Sequence, residues 1–234
     1  MTFALTRPIT HGVALIDDPG RAAISTTTGA WASMVYAART DSGAIVIDLG
    51  WTGTERAVRG ALYDIGASRE DVARVFITHA HRDHVAGWRQ VGGVPVVIGA
   101  GDIALLVGDR APEGWVPRLS RRIRQPDLPA RGDLDLVPVT RDTLFVLGAD
   151  TVFAYPVPGH TPGSTAYVFR GILFVGDAMN WRPFTGWSGA RPEMSDDVTE
   201  SDRSLAALWR RLPPGSVRVV CTAHAKCRRV EPQP

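Results

Sequence analysis

The stretch Arg74-Val-Phe-Ile-Thr-His-Ala-His-Arg-Asp-His84 decides the fold. Its first half is a short apolar run rich in β-formers, which reads as a buried strand. Its second half places His79, His81, Asp83 and His84 directly after that run. Along a strand, alternate side chains point the same way, so His79 and His81 are expected to address one metal ion. A turn then brings Asp83 and His84 out on its other side, at the head of a helix expected over His84 to Gln90, where they can address a second ion. A polar loop with coincidental histidines is a poor account of this density in a chain with six histidines.

Two further histidines sit in comparable settings. His160 lies in Pro158-Gly-His-Thr-Pro-Gly163, where proline and glycine fix the backbone and allow close approach. His224 follows the apolar run Val217 to Cys221. Asp177 ends the run Ile172-Leu-Phe-Val-Gly176, and a carboxylate buried there needs a partner. His11 has no companion carboxylate and is read as a surface or packing residue. Imidazole and carboxylate donors together suit Zn²⁺, with Fe or Mn as alternatives. Two such ions bring the pKa of a shared water to about 7 or below.

Composition narrows the class. The chain has 234 residues, 44% of them hydrophobic, enough for one large domain or two small ones; a single domain over residues 1–234 is expected. A net charge of +2 gives no reason to expect nucleic acid, and no uncharged apolar stretch is long enough for a membrane span. The region Met1 to Pro19 does not read as a secretory signal, so a cytoplasmic protein is expected. Cys221 and Cys227 do not make a disulfide framework, and Cys221 reads as a small apolar residue in a buried strand.

Strands are expected at Val13 to Ile16, Ser33 to Tyr36, Ala44 to Asp48, Arg74 to Thr78, Val94 to Ile98, Thr143 to Leu147, Thr151 to Val157 and Val217 to Cys221. A hairpin is expected from Ala166 to Val175 around Arg170-Gly171. Glu55 to Ile65 reads as a helix capped by Thr54 and stopped by Gly66, and Ser201 to Leu212 as a helix burying Leu205, Leu208, Trp209 and Leu212. This order suits an α/β fold, two mixed sheets packed face to face with helices outside, an αββα sandwich. Glu113 to Leu136, rich in arginine and proline, is either a solvated excursion or a lid.

These motifs resemble, one for one and in order, those of the metallo-β-lactamase fold superfamily. The resemblance implies that His79, His81 and His160 bind a first metal, that Asp83, His84 and His224 bind a second, and that Asp177 bridges. It implies a dinuclear hydrolase acting through a metal-bridging hydroxide, with Asp83 also orienting the water. Lactone, thioester or carboxylic ester bonds are the expected targets; a β-lactam hydrolase and an iron-dependent redox or metal-binding module are the alternatives. Lactonases of the family usually add a tyrosine near the metals, for which Tyr36, Tyr63, Tyr155 and Tyr167 are the candidates. The segment after Asp177 offers Trp181, Phe184 and Trp187 as an apolar wall or a packing cluster, and Arg182 or Arg191 as a carboxylate holder. A small-molecule substrate is the expected partner, and a homodimer is left open.

Overall fold

The computed structural model describes residues 5–8, 22–26, 33–51, 55–123, 127–225 and 227–230. The strand expected at Val13 to Ile16, His11 and the Thr54 cap lie outside the described residues. In chain order the strands are β1 (Leu5–Pro8), β2 (Ala22–Thr26), β3 (Met34–Thr40), β4 (Gly43–Ile47), β5 (Val72–Ile77), β6 (Val96–Gly99), β7 (Leu136–Val139), β8 (Thr143–Leu147), β9 (Asp150–Pro156), β10 (Thr165–Phe169), β11 (Ile172–Gly176), β12 (Met179–Arg182), β13 (Gly186–Gly189), β14 (Val219–Thr222) and β15 (Arg228–Val230). The α-helices are α1 (Glu55–Asp64), α2 (Arg82–Val85), α3 (Ile103–Leu106), α4 (Trp115–Ile123) and α5 (Val198–Arg211).

Two mixed sheets result, ordered β1-β15-β14-β11-β10-β9-β8 and β2-β3-β4-β5-β6-β7, with β12 and β13 as a separate pair. Strands β4, β6, β10, β11 and β14 are largely apolar because each buries both faces, whereas β8 and β9 expose one. Ile45 and Ile47 of β4, Phe76 of β5 and Val97 of β6 point into a core shared with Tyr167 and Phe169 of β10 and Phe174 of β11. Their neighbours Val46, Val75, Ile77, Val96 and Ile98 face a second core with Val58, Ala61, Leu62 and Ile65 of α1 and its vicinity. Leu173 and Val175 of β11 and Val220 of β14 face a third core with Leu208 and Leu212, against which Leu205 and Trp209 also pack. Three cores separated by two sheets are the expected αββα layering, and every apolar position expected of α5 faces inward.

Local signals explain several boundaries. Arg170 and Gly171 both have positive φ, the backbone that a two-residue hairpin between β10 and β11 requires. Gly66 has φ +64° and ends α1 as expected. Other boundaries differ. Helix α5 starts three residues before Ser201, because the Asp197 side chain accepts the Glu200 N–H and caps it there. The helix expected over His84 to Gln90 is instead the single turn α2 followed by a 3₁₀ turn, Trp88–Val91, with Gly87 between them. A Cβ on Gly87 would lie 2.4 Å from the Leu49 carbonyl oxygen, so the chain there is pressed against the strand exit. Residues Asn180 to Arg191, read as a loop, contain the β12–β13 pair. Cys221 is the buried apolar residue expected, but it is also disulfide-bonded to Cys227, so the unpaired reading is corrected.

Candidate metal centre

All of the clustered histidines and carboxylates leave the sheets at one edge of the sandwich. His79, His81, Asp83 and His84 follow the end of β5, and His160 precedes β10. Asp177 and His224 follow β11 and β14, which run parallel with Gly176 paired to Thr222. Backbone bonds bind the two sheets at this edge: the Thr165 N–H donates to the Thr78 carbonyl (2.8 Å), and the Tyr167 hydroxyl to the Ile77 carbonyl (2.8 Å). His79 and His81 lie beyond the end of β5 rather than within it, and His81, with extended backbone, stands directly before α2.

Three imidazoles form the first set. His160 Nε2 lies 3.1 Å from His79 Nε2 and 3.0 Å from His81 Nδ1. The rings' other nitrogens settle what faces inward. The Ser195 hydroxyl donates to the Arg191 carbonyl (2.7 Å), so it accepts from His160 Nδ1–H (3.0 Å). The Thr78 hydroxyl donates to Asp48 Oδ2 (2.8 Å), so it accepts from His79 Nδ1–H (3.2 Å). Both Nε2 atoms therefore present lone pairs to each other. Burial, then the neighbouring histidines, lowers the pKa of His79, and it lowers that of His160 to about 3, so protons do not relieve the repulsion. A tetrahedral ion with bonds of about 2.0–2.1 Å needs donors about 3.3 Å apart and resolves the conflict.

The second set is built from opposite charges. His224 Nε2 lies 3.3 Å from Asp83 Oδ2 and 3.2 Å from Asp177 Oδ2, and His84 Nε2 lies 3.6 Å from Asp83 Oδ2. Burial alone would lower the pKa of His84, but Asp48 and Asp83 raise it to about 9. Burial likewise opposes the charged form of His224, yet Asp177 and Asp83 push its pKa up to about 11. Burial would raise Asp177, but His224 and the other histidines hold it well below the usual carboxylate range. Protons on His84 and His224 balance the Asp83 and Asp177 carboxylates, in the place that a divalent ion would take. His84 Nε2 and Asp177 Oδ1 are buried without a hydrogen-bond partner, so the donor set fits a divalent ion. Asp177 Oδ2 is also 3.8 Å from His160 Nε2, and the carboxylate therefore stands at both sets.

A family model described as the metallo-beta-lactamase superfamily matches residues 28–224. The chain belongs to that superfamily. Among curated relatives, an uncharacterized protein of Bacillus subtilis, YobT, is 28% identical over 163 residues, covering 66% of this chain and 65% of its own. A hydroxyacylglutathione hydrolase of Aliivibrio fischeri is 35% identical over 149 residues, covering 63% of this chain and 46% of its own. The chain thus spans from about two thirds to about half of the length of these relatives. Two solved B3 metallo-beta-lactamases share the fold. BLEG-1 matches with a TM-score of 0.65 and 22% identity over 87% of this chain and 92% of its own. BJP-1 of Bradyrhizobium japonicum matches with 0.61 and 23% over 82% and 72%.

For a superfamily member, the residues that hold the ligands matter as much as the ligands. Asp48 accepts from the Thr78 N–H (2.7 Å), the Thr78 hydroxyl (2.8 Å) and His84 Nδ1–H (2.8 Å), and so orients rings in both sets. It ends an apolar run as Asp177 does, which was a readable signal. Asp102, wholly buried, accepts from the Ala80 N–H and Thr161 hydroxyl through Oδ2 and from the Gly163 N–H through Oδ1, each at 2.7 Å. Ser195 and Asp102 left no sequence signal, being ordinary polar residues in connecting segments. Gly159 has φ +128°, and a Cβ there would lie 2.1 Å from the Ser201 nitrogen, so only glycine brings His160 this close to α5.

The residues considered for substrate are dispersed. Phe184 is 100% exposed at the turn between β12 and β13, and Arg182 is exposed beside it. Trp187 packs against the third core, and Trp181 is half-buried with the Arg228 guanidinium 3.1 Å from its ring centre. Arg191 is half-buried, and its carbonyl accepts from Ser195. Of the tyrosines, Tyr63 is exposed and Tyr155 packs on the third core. The hydroxyls of Tyr36 and Tyr167 are engaged with the carbonyls of Thr222 and Ile77. No helix among the described residues is long and apolar enough to cross a membrane.

Proposed function

We propose that the protein is a dinuclear metal-dependent hydrolase of ester-like bonds: a lactone, a thioester or a carboxylic ester. The observation that carries this reading is Asp177, whose Oδ2 lies 3.2 Å from His224 Nε2 and 3.8 Å from His160 Nε2. One carboxylate shared by two donor sets is what a bridged pair of ions needs. His79, His81 and His160 would hold one ion, and Asp83, His84 and His224 the other, with Zn favoured over Fe or Mn. When bound, such a pair supplies Lewis acidity and a hydroxide nucleophile at neutral pH. Asp83 Oδ2 and Asp177 Oδ2 both lie against His224 Nε2, and Asp83 would ligate and also orient the water. Thr78 and Ser195 hold His79 and His160 in the tautomer that leaves their inward nitrogens unprotonated, and Asp48 fixes the His84 ring so that its Nε2 would ligate once its proton is displaced.

A β-lactam hydrolase is the second reading, favoured by the shared fold of the B3 enzymes. The likeness to a hydroxyacylglutathione hydrolase favours a thioester. The test is metal analysis of purified protein, followed by a panel of lactones, acyl-thioesters, carboxylic esters and a chromogenic cephalosporin. About two equivalents of metal and ester turnover abolished in Asp177→Ala are expected. Turnover undiminished in metal-free protein or in that variant would sink the reading, and a cephalosporin rate matching the best ester would move it to the second.

A further inference from the structure

We propose that the Cys221–Cys227 disulfide positions His224, so that occupancy of the second donor set depends on the state of that bond. This rests on the reading of His224 as a metal ligand. Strands β14 and β15 pair antiparallel, Val219 with Arg229 and Val220 with Arg228. The next rung of that register is Cys221 with Cys227, and there the chain is crosslinked. The bond crosslinks the chain on either side of His224, the middle one of the five residues between the two cysteines, and so closes the neck of the loop that carries it.

The two halves of that loop are held differently. The first half is fastened by backbone: the Thr222 carbonyl accepts from the Tyr36 hydroxyl (2.7 Å), the Ala223 N–H donates to Gly176 (3.2 Å), and the Ala223 carbonyl accepts from Met34 (2.8 Å). The second half returns to the sheet through Cys227 and the three residues of β15. The disulfide is the covalent tie between the halves, with both cysteines buried. His224 is also the most open of the three histidines that make ion pairs in these sets: its side chain is 20% exposed, against 0% for His84 and 1% for His160. A small displacement of the loop therefore moves His224 away from Asp83 and Asp177, while the first set, which draws nothing from this loop, stays assembled.

In an oxidising compartment the bond is closed, and in a reducing one it is open. Opening by a phosphine is balanced: the S–S bond breaks, water gives its oxygen to the phosphine as the phosphine oxide, and its two hydrogens end on the two thiols. The experiment compares zinc titrations of three metal-free forms: the oxidised wild-type chain, the wild-type chain phosphine-reduced and desalted under nitrogen, and the double variant Cys221→Ala with Cys227→Ala. Thiols are counted in denaturant, and circular dichroism follows the fold. The oxidised chain is expected to show no free thiol and two zinc equivalents. In the other two forms the second equivalent should weaken at least about ten-fold and the first by less than about two-fold. Two free thiols in the protein as isolated from aerobic buffer, equal second-ion affinity in all forms, or loss of both ions together would overturn the proposal. His224→Ala separates this from the metal reading. If oxidised His224→Ala still binds the second zinc like wild type, the ligand assignment fails. If it loses that zinc while the alanine pair keeps it, only the positioning role fails.

Discussion

Replacing Asp102 by alanine isolates the support of the first donor set from the ligands themselves. Asp102 is wholly buried, and its carboxylate accepts three hydrogen bonds, each 2.7 Å. Two donors are backbone N–H groups, of Ala80 between His79 and His81, and of Gly163 in the turn after His160. The third, the Thr161 hydroxyl, keeps Ser164 Oγ at 2.8 Å as an alternative partner. The substitution therefore orphans two buried donors at about 1–3 kcal/mol each. Removing the carboxylate also removes its burial cost, the same effect that raises its pKa, which offsets part of the loss. We expect a net destabilisation of about 3 kcal/mol, well outside the roughly ±0.5 kcal/mol of an ordinary surface change.

The assay is urea unfolding of the metal-free chain, where the midpoint should fall with an unchanged slope. A zinc titration should then show the first set weakened about 10- to 100-fold, with the second set affected less, because all three bonds attach to the first set's loops. The variant Asp102→Asn sharpens the reading. Its amide nitrogen must face an N–H or a hydroxyl that expects an acceptor, so it should fall between wild type and alanine. An alanine variant within about 0.5 kcal/mol of wild type, or one that loses its second-set zinc first, would show that Asp102 does not support the first set.

Asp48→Ala removes the acceptor of His84 Nδ1–H and of Thr78, so zinc affinity should fall about 10- to 100-fold, measured by competition with a chromogenic chelator. Phe169→Ala opens the wholly buried core between the sheets and should cost about 3–5 kcal/mol by denaturant unfolding, with zinc stoichiometry retained in the folded fraction. Burial raises the pKa of Tyr36 and Tyr167 well above the ordinary 10. The folded chain then holds protons that the unfolded chain releases, so stability is full below about pH 10 and falls as pH rises beyond it. Tyrosinate absorbance should show these two ionising only together with loss of circular dichroism; their ionisation in folded protein at pH 10 would contradict the burial argument.

Much of the fold was legible because its central strands are buried on both faces and the clustered histidines and carboxylates follow their ends. Ile45 to Ile47 and Val75 to Ile77 alternate between two cores, so their sequences are unbroken apolar runs that stand out from their surroundings. Histidine is rare in this chain, and five of six fall beside such runs. What escaped was polar and local. Asp48 carried the same signature as Asp177 but lacked a neighbouring histidine in sequence; its partner His84 is 36 residues away. The early start of α5 was written in Asp197 and Glu200, an N-cap three residues before an acid, but the apolar periodicity begins only at Leu205. The β12–β13 pair escaped because each strand is four residues long and mixes tryptophan with polar residues. The disulfide could not be read from spacing, since it needs the β14–β15 register, which β15 is too short to announce.

The segment left open as an excursion or a lid is constrained by how its base is fastened. Arg110 bridges Glu113 (2.6 Å) and Asp196 (2.8 Å), and the Glu113 N–H also donates to Asp196 (2.9 Å). Asp196 in turn donates its N–H to the His160 carbonyl (3.1 Å), and its neighbour Ser195 orients the His160 ring. The Asp196 side chain is only 7% exposed, so these are not freely screened surface pairs. A rigid-body opening of Ala111 to Ile123 would have to break the Asp196 bonds and would pull on the loop that carries a first-set ligand. Helix α4 is itself tied back by Arg121, whose guanidinium donates to the carbonyls of Arg110 (2.8 Å) and Gly108 (3.0 Å), and it exposes Trp115, Leu119 and Ile123. Substitutions in α4 should then alter which substrates are taken while leaving metal content alone, and substitutions at Arg110 or Asp196 should alter both.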